Sequence, residues 1–192
     1  MRLVTVLILM AVAGAAAGAT FLYSGLADVA ATSPHWAVTE WILSSTMERA
    51  VERHAEKVQV PGFLDDRARV RGGAAAYQDM CAVCHGAPGV EPEVIAAGLN
   101  PRPPDLSERA EEWSAAELFW ITKHGIRMTG MPAFGPTHSD EELWEVVALV
   151  GRLPRLSRGE YRGLVASHAA RESGHSHAAE HASGHSHAPH HP

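Results

Sequence analysis

The stretch DMCAVCHGAPG, residues 79–89, contains both cysteines of this 192-residue chain, Cys81 and Cys84, and His85 follows them directly. Three kinds of site use two cysteines at this spacing. A redox-active disulfide is the first, but that motif usually follows a strand, whereas here it ends a predicted helix. A zinc site is the second, but zinc takes about four ligands and the chain has no second cysteine pair.

The third kind of site is a covalently bound haem, in which two thioethers hold the porphyrin and the histidine after the second cysteine ligates the iron. Residues three and four apart lie on the same side of a helix, so one helical turn can present all three side chains. We therefore predict one haem c, attached through Cys81 and Cys84, with His85 as an axial ligand of the iron.

The composition narrows the class of protein. The net charge is −6 and the hydrophobic content is 46%, which is ordinary for a globular protein. The sequence has no basic patch with interleaved aromatic residues, so no nucleic-acid partner is expected. It also shows no nucleophile–base pair or carboxylate pair of a catalytic kind. We predict an electron carrier rather than an enzyme, either free or as a subunit of an oxidoreductase complex.

The N-terminus is strongly apolar. Residues 3–23 carry no charge and follow Arg2, and as a helix they would measure roughly 31 Å, close to the about 30 Å of a hydrocarbon core. We predict an uncleaved anchor with its N-terminus in the cytoplasm. A cleaved signal peptide is the alternative, because small residues at 15–19 could form its cleavage site. Both interpretations export residue 28 and everything after it.

The remaining pattern is helical. Residues 35–58 and 65–80 are predicted helices, and residues 86–112, with five prolines, are predicted as a long loop. Two further helices begin at capping boxes, Ser114 with Glu117 and Ser139 with Glu142. In the helix 35–58, one apolar face is predicted to comprise Trp36, Leu43, Met47, Ala50, Val51, His54 and Val58, with His54 partly buried.

Three segments resemble class I cytochrome c: GAAAYQDMCAVCHG at 73–86, TGMPAFGP at 129–136 and ELWEVVALVGRLP at 142–154. The resemblance covers roughly residues 65–155. It is similar in particular to the membrane-anchored or periplasmic monohaem cytochromes of bacteria. It implies an all-α core of about three main helices around one covalent haem, and one-electron transfer between a redox protein donor and acceptor.

The predicted organisation has four parts. Residues 1–27 are a membrane anchor or signal peptide, 28–62 a linker and an additional amphipathic helix, 63–158 the haem domain, and 159–192 a disordered His-rich tail. The predicted location is the periplasmic side of the bacterial inner membrane, anchored by the N-terminal helix, or the soluble periplasm if the leader is cleaved.

The second axial ligand is predicted to be Met131, which lies on a loop rich in glycine and proline between two predicted helices. A thioether ligand favours ferrous iron and raises the potential. Met128 is the nearest rival, followed by His124 and His138. The resemblance also implies that a proline carbonyl accepts a hydrogen bond from His85; Pro104 is the candidate, with Pro103 as its alternative.

The tail is low in complexity and lacks apolar residues for a core, so it is predicted to be disordered. Imidazole binds copper, zinc and nickel, and the candidate ligands are His175, His177, His181, His185, His187, His190 and His191.

Three further functions remain open. The chain could be the haem subunit of a larger dehydrogenase or oxidase, a haem redox or gas sensor from which Met131 dissociates, or a metal-handling protein that uses the His-rich tail.

Overall fold

The computed structural model describes residues 2–167, and within them all regular structure is helical. The predicted all-α fold is therefore confirmed. Ala87 and Val90 form an isolated β-bridge. The α-helices are α1 (Arg2–Tyr23), α2 (Ala37–Ala55), α3 (Arg67–Met80), α4 (Ala82–His85), α5 (Leu106–Arg109), α6 (Ala115–His124) and α7 (Asp140–Val150), and the 3-10 helices are Val94–Gly98, Ala110–Glu112 and Leu153–Arg155. An eighth α-helix, α8, begins at residue 158 and continues to the last described residue, 167.

The described residues divide into two compact units, one that ends at His35 and one that begins at Trp36. The first unit contains α1, whose side chains are all exposed. Its mean hydropathy of 2.2 and its 22 residues make it long and apolar enough to cross a membrane. A signal sequence has the same properties, so both interpretations of the N-terminus stand.

The second unit is built on the pair α3 and α7, which pack against each other more extensively than any other two elements. Gly73 allows their close approach, because a Cβ there would overlap the backbone carbonyl of Glu145 and lie 3.0 Å from the amide nitrogen of Val146. Gly73 thus lies at the crossing of α3 and α7. Its partner is the backbone of Glu145, whereas Trp144 stacks on Phe119 of α6 with 4.1 Å between ring centroids.

The starts of α6 and α7 were predicted correctly. Ser114 and Glu117 form one capping box, and Ser139 and Glu142 form the other. In each, the serine side chain accepts a hydrogen bond from the glutamate amide, and the glutamate side chain accepts one from the serine amide, so two amides without helical partners are satisfied. Helix α6 ends at Gly125, which has φ of 65°.

Helix α2 packs against α6 through its second half, where Val51 and Ala55 are buried. The predicted apolar face is wrong in its first half, because Trp36 is 82% exposed. His54 is also exposed rather than partly buried; its ring stacks on Trp120 of α6, with centroids 5.2 Å apart. The physical reason is that α6 has ten residues and α2 has 19, so α6 covers only part of the longer helix.

The packed core extends beyond residue 158, where the sequence predicted the tail to begin. Tyr161, on α8, is 1% exposed and its hydroxyl donates a hydrogen bond of 2.9 Å to Gln78 Oε1. Its ring lies edge-on to that of Tyr77. Residues 159–167 therefore pack with this core, and the rest of the predicted tail, with all its candidate metal ligands, lies outside the described residues.

We expect Gly73→Ala to lower the free energy of unfolding by about 1–3 kcal/mol. The added methyl group would force α3 away from the α7 backbone, and overpacking in a core costs energy of this size. Gly98→Ala is the matched control, since a Cβ at Gly98 would meet nothing within 4 Å. Urea unfolding measures both variants; equal stability of the two would contradict a close crossing at Gly73.

Candidate cofactor site

The two cysteines and His85 lie where α3 ends and α4 begins. The amide of Cys81 donates to the carbonyl of Tyr77 at 2.8 Å, which ends α3, and the amide of His85 donates to the carbonyl of Cys81 at 2.9 Å, which closes α4. The segment from Cys81 to His85 is therefore a single helical turn. It holds two sulfurs and an imidazole at fixed backbone positions.

Cys81 does not have the properties of a reactive thiol. Cys81 and Cys84 are not bonded to each other. Burial, followed by the nearby Cys84, raises the pKa of Cys81 to about 12. A reactive thiol needs the opposite, an exposed position and a lowered pKa. This argues against disulfide exchange at this site.

A zinc site is not supported either. Among residues 2–167, no group of three or more histidine, cysteine or acidic side chains is placed to hold a metal ion. The two thiols and the imidazole are thus not placed as ligands of one metal ion, whereas a structural zinc requires four.

The ring of His85 is held by the loop that follows. Its Nδ1 lies 2.8 Å from the carbonyl oxygen of Pro104, a hydrogen bond in which the Nδ1–H group donates. Nε2 is then the nitrogen left for a metal. Burial lowers the pKa of His85, while the Pro104 hydrogen bond and then the charge of Asp105 oppose that shift. A neutral, oriented imidazole is the form that binds iron.

Tyr77 stabilises the other end of the turn. Its buried hydroxyl donates a 2.7 Å hydrogen bond to the carbonyl of Gly86, and burial raises its pKa. Gly86 has φ of 65° and a Cβ there would lie 2.8 Å from the carbonyl oxygen of Val90, so glycine is required. Tyr77 therefore has two roles, packing in the core and holding the carbonyl of Gly86. Its position four residues before Cys81, one turn below the motif, was the signal of this second role.

The methionine loop lies between α6 and α7. The amide of Met131 donates to Thr129 Oγ1 at 3.1 Å and its carbonyl accepts from the amide of Ile126 at 3.3 Å. A Cβ on Gly130 would lie 2.8 Å from the side chain of Leu99. The methionine loop therefore contacts the same proline-rich loop that holds His85.

The rival ligands lie in different settings. Met131 is half-buried, whereas Met128 is 86% exposed with φ of 61°. His124 is exposed and lies against Trp120, with ring centroids 5.0 Å apart. His138 has Nδ1 2.9 Å from Thr137 Oγ1.

The residues present fit a haem c. Two uncrosslinked thiols at the required spacing precede an imidazole whose Nδ1 is already occupied, and a methionine lies on a restrained loop that contacts the loop behind that imidazole. When bound, a haem supplies an iron centre that changes between ferrous and ferric states.

Comparison with known families agrees with this assignment. The model of the family described as "Cytochrome C oxidase, cbb3-type, subunit III" matches residues 68–150, which run from α3 to the end of α7. No curated protein matches the chain. Together with the helical fold and the geometry at Cys81–His85, the match supports a class I c-type cytochrome domain at residues 68–150.

Proposed function

We propose that this chain is a one-electron carrier with a single haem c, bound covalently through Cys81 and Cys84 and ligated by His85 and Met131, in a bacterial periplasmic or respiratory chain. The observation that carries the proposal is the hydrogen bond from His85 Nδ1 to the Pro104 carbonyl. It fixes the ring beside two buried or half-buried sulfurs in one helical turn.

This arrangement suits electron transfer rather than substrate chemistry. With one protein ligand on each side of the iron, no coordination position would remain for a substrate. The backbone around both ligands is restrained by hydrogen bonds, at Pro104 for His85 and at Thr129 for Met131. Restrained ligands move little when the charge of the iron changes, which keeps the reorganisation accompanying electron transfer small.

The preference for Met131 rests on its burial and its loop. A ligand to a buried metal must leave solvent, and Met131 is the less exposed of the two methionines in this loop. The contact of Gly130 with Leu99 brings the methionine loop against the segment between His85 and Pro104. Met128 projects into solvent.

The first prediction from this proposal concerns haem attachment. The native exported protein, made with haem-attachment machinery, should have the mass of the polypeptide plus one haem. Cys81→Ala combined with Cys84→Ala should leave no covalent haem, because both thioethers are lost, while His138→Ala should keep it. Denaturing mass spectrometry measures all three; a colourless unmodified chain without added mass would refute the proposal.

A second prediction concerns the axial ligand. Met131→Ala should lower the reduction potential by at least about a tenth of the roughly 0.8 V range that axial ligands span, because a soft sulfur no longer stabilises ferrous iron. It should also remove the sulfur-to-iron charge-transfer band of the ferric form. Met128→Ala should leave potential and band unchanged. If Met128→Ala produced these effects and Met131→Ala did not, the ligand assignment would be reversed.

The second candidate function is that of a haem subunit in a larger oxidoreductase. The family whose model matches residues 68–150 is named for a subunit of a cytochrome c oxidase, which favours an oxidase over a dehydrogenase. Affinity purification of the chain from native membranes under mild detergent tests this. Co-purification of an oxidase in fixed proportion supports the subunit, whereas isolation of the chain by itself with rapid reduction by other carriers supports a free carrier.

The N-terminal helix bears on location. If α1 remains attached, the haem domain is anchored at the periplasmic face of the inner membrane; if it is cleaved, the domain is soluble in the periplasm. The mass measured for haem attachment also distinguishes these forms, since it shows the leader as retained or lost.

Two other hypotheses from the sequence stay as predictions. A sensor function requires Met131 to leave the iron, which would give a high-spin ferrous spectrum and rapid binding of carbon monoxide. Binding of copper, zinc or nickel by the tail concerns residues outside the described part of the chain.

A further inference from the structure

The first two turns of α2 expose large apolar side chains. Val38 is 67% exposed, Trp41 68% and Ile42 49%, and Trp36, directly before the helix, is 82% exposed. Val38, Trp41 and Ile42 are spaced by three and four residues, so they lie on the same side of the helix. We call these four residues the α2 apolar patch.

The rest of the same helix has a different character. Its second half packs on α6 through Val51 and Ala55 and is charged elsewhere, with Arg49 and Glu52 forming an ion pair of 2.8 Å. Between Trp36 and Met47, Glu40 is the sole charged residue, whereas six charged residues occur at 48, 49, 52, 53, 56 and 57. The apolar patch is therefore confined to the end of α2 that the core does not cover.

We propose that the α2 apolar patch inserts into the headgroup region of a lipid bilayer. Two of its four residues are tryptophans, the side chain that concentrates at membrane–water interfaces. An apolar helical face of this kind buries itself about 5–10 Å into the boundary between headgroups and acyl chains. In the sequence, twelve residues separate Trp36 from the end of α1, the helix that is long and apolar enough to span a membrane.

The small size of the patch favours lipid over a protein partner. A stable protein–protein interface uses about 20–30 residues on each side, and the patch has four, with Glu40 between them and further charged residues on the same helix only from position 48 onward. A lipid surface needs no matching shape and accepts a few apolar side chains at a time. Helix α2 changes from apolar to charged along its length. This is expected of a helix whose first end lies in the membrane interface and whose other end lies outside it.

The test uses the haem-loaded full chain in vesicles of phosphatidylcholine and phosphatidylglycerol. Because both native cysteines are consumed by haem attachment, Val38→Cys and Ile42→Cys each introduce a single free thiol for a nitroxide spin label. Arg49→Cys is the control within the same helix, since Arg49 is 82% exposed in its side chain. Collision rates with oxygen, which concentrates in lipid, and with a water-soluble nickel chelate are measured by electron paramagnetic resonance.

We expect the ratio of oxygen to nickel collisions to be several-fold higher at positions 38 and 42 than at 49. Equal ratios at all three positions would overturn the proposal, because the patch would then lie in water. Low collision rates with both reagents, together with spin–spin broadening that disappears when unlabelled chain is added, would also overturn it and would identify a second copy of the chain as the occupant. The retention of the haem spectrum in each labelled variant shows that the fold is intact.

Discussion

The close approach of α3 and α7 at Gly73 is the constraint on which the haem domain depends. Without a side chain at this position, the α3 backbone lies directly against the carbonyl of Glu145. Arg69 adds ion pairs to Glu141 and Glu145 on α7, but partly exposed pairs contribute little to stability. Steric fit therefore sets the crossing, and because α3 runs straight into Cys81, the crossing also fixes where the cysteine turn begins.

Beyond the cysteine turn, a few directed hydrogen bonds replace regular structure. Tyr77 holds the carbonyl of Gly86, the amide of Glu93 donates to the carbonyl of Val83 at 2.9 Å, and His85 bonds to Pro104. Each joins the motif to the proline-rich loop at one point. The prolines limit the number of conformations of the unfolded loop, so these few bonds have less conformational entropy to overcome.

Local signals in the sequence predicted the helices and turns better than they predicted which residues contact one another. The capping boxes at Ser114 and Ser139 and the turn at Cys81–His85 depend on residues within four positions of one another. Ser157 and Glu160 form the same kind of capping box before α8. The sequence did not indicate this box, because arginine and glycine lie between the two residues and a polar tail follows them. The bond between Tyr161 and Gln78 and the stack of His54 on Trp120 join residues more than 60 positions apart, and no local pattern specifies such pairs.

Helix α2 illustrates how two requirements can be met by one helix. A 19-residue helix is about 28 Å long, and its buried residues, Val51 and Ala55, both lie near its C-terminal end. Packing on α6 therefore constrains one half and leaves the sequence of the other half free to serve a different environment. A soluble surface would have favoured charged residues throughout, as in the second half. Exposed tryptophan and isoleucine in the first half instead indicate that this half meets an apolar surface. The face of α2 that the core does not bury is the place where that surface binds.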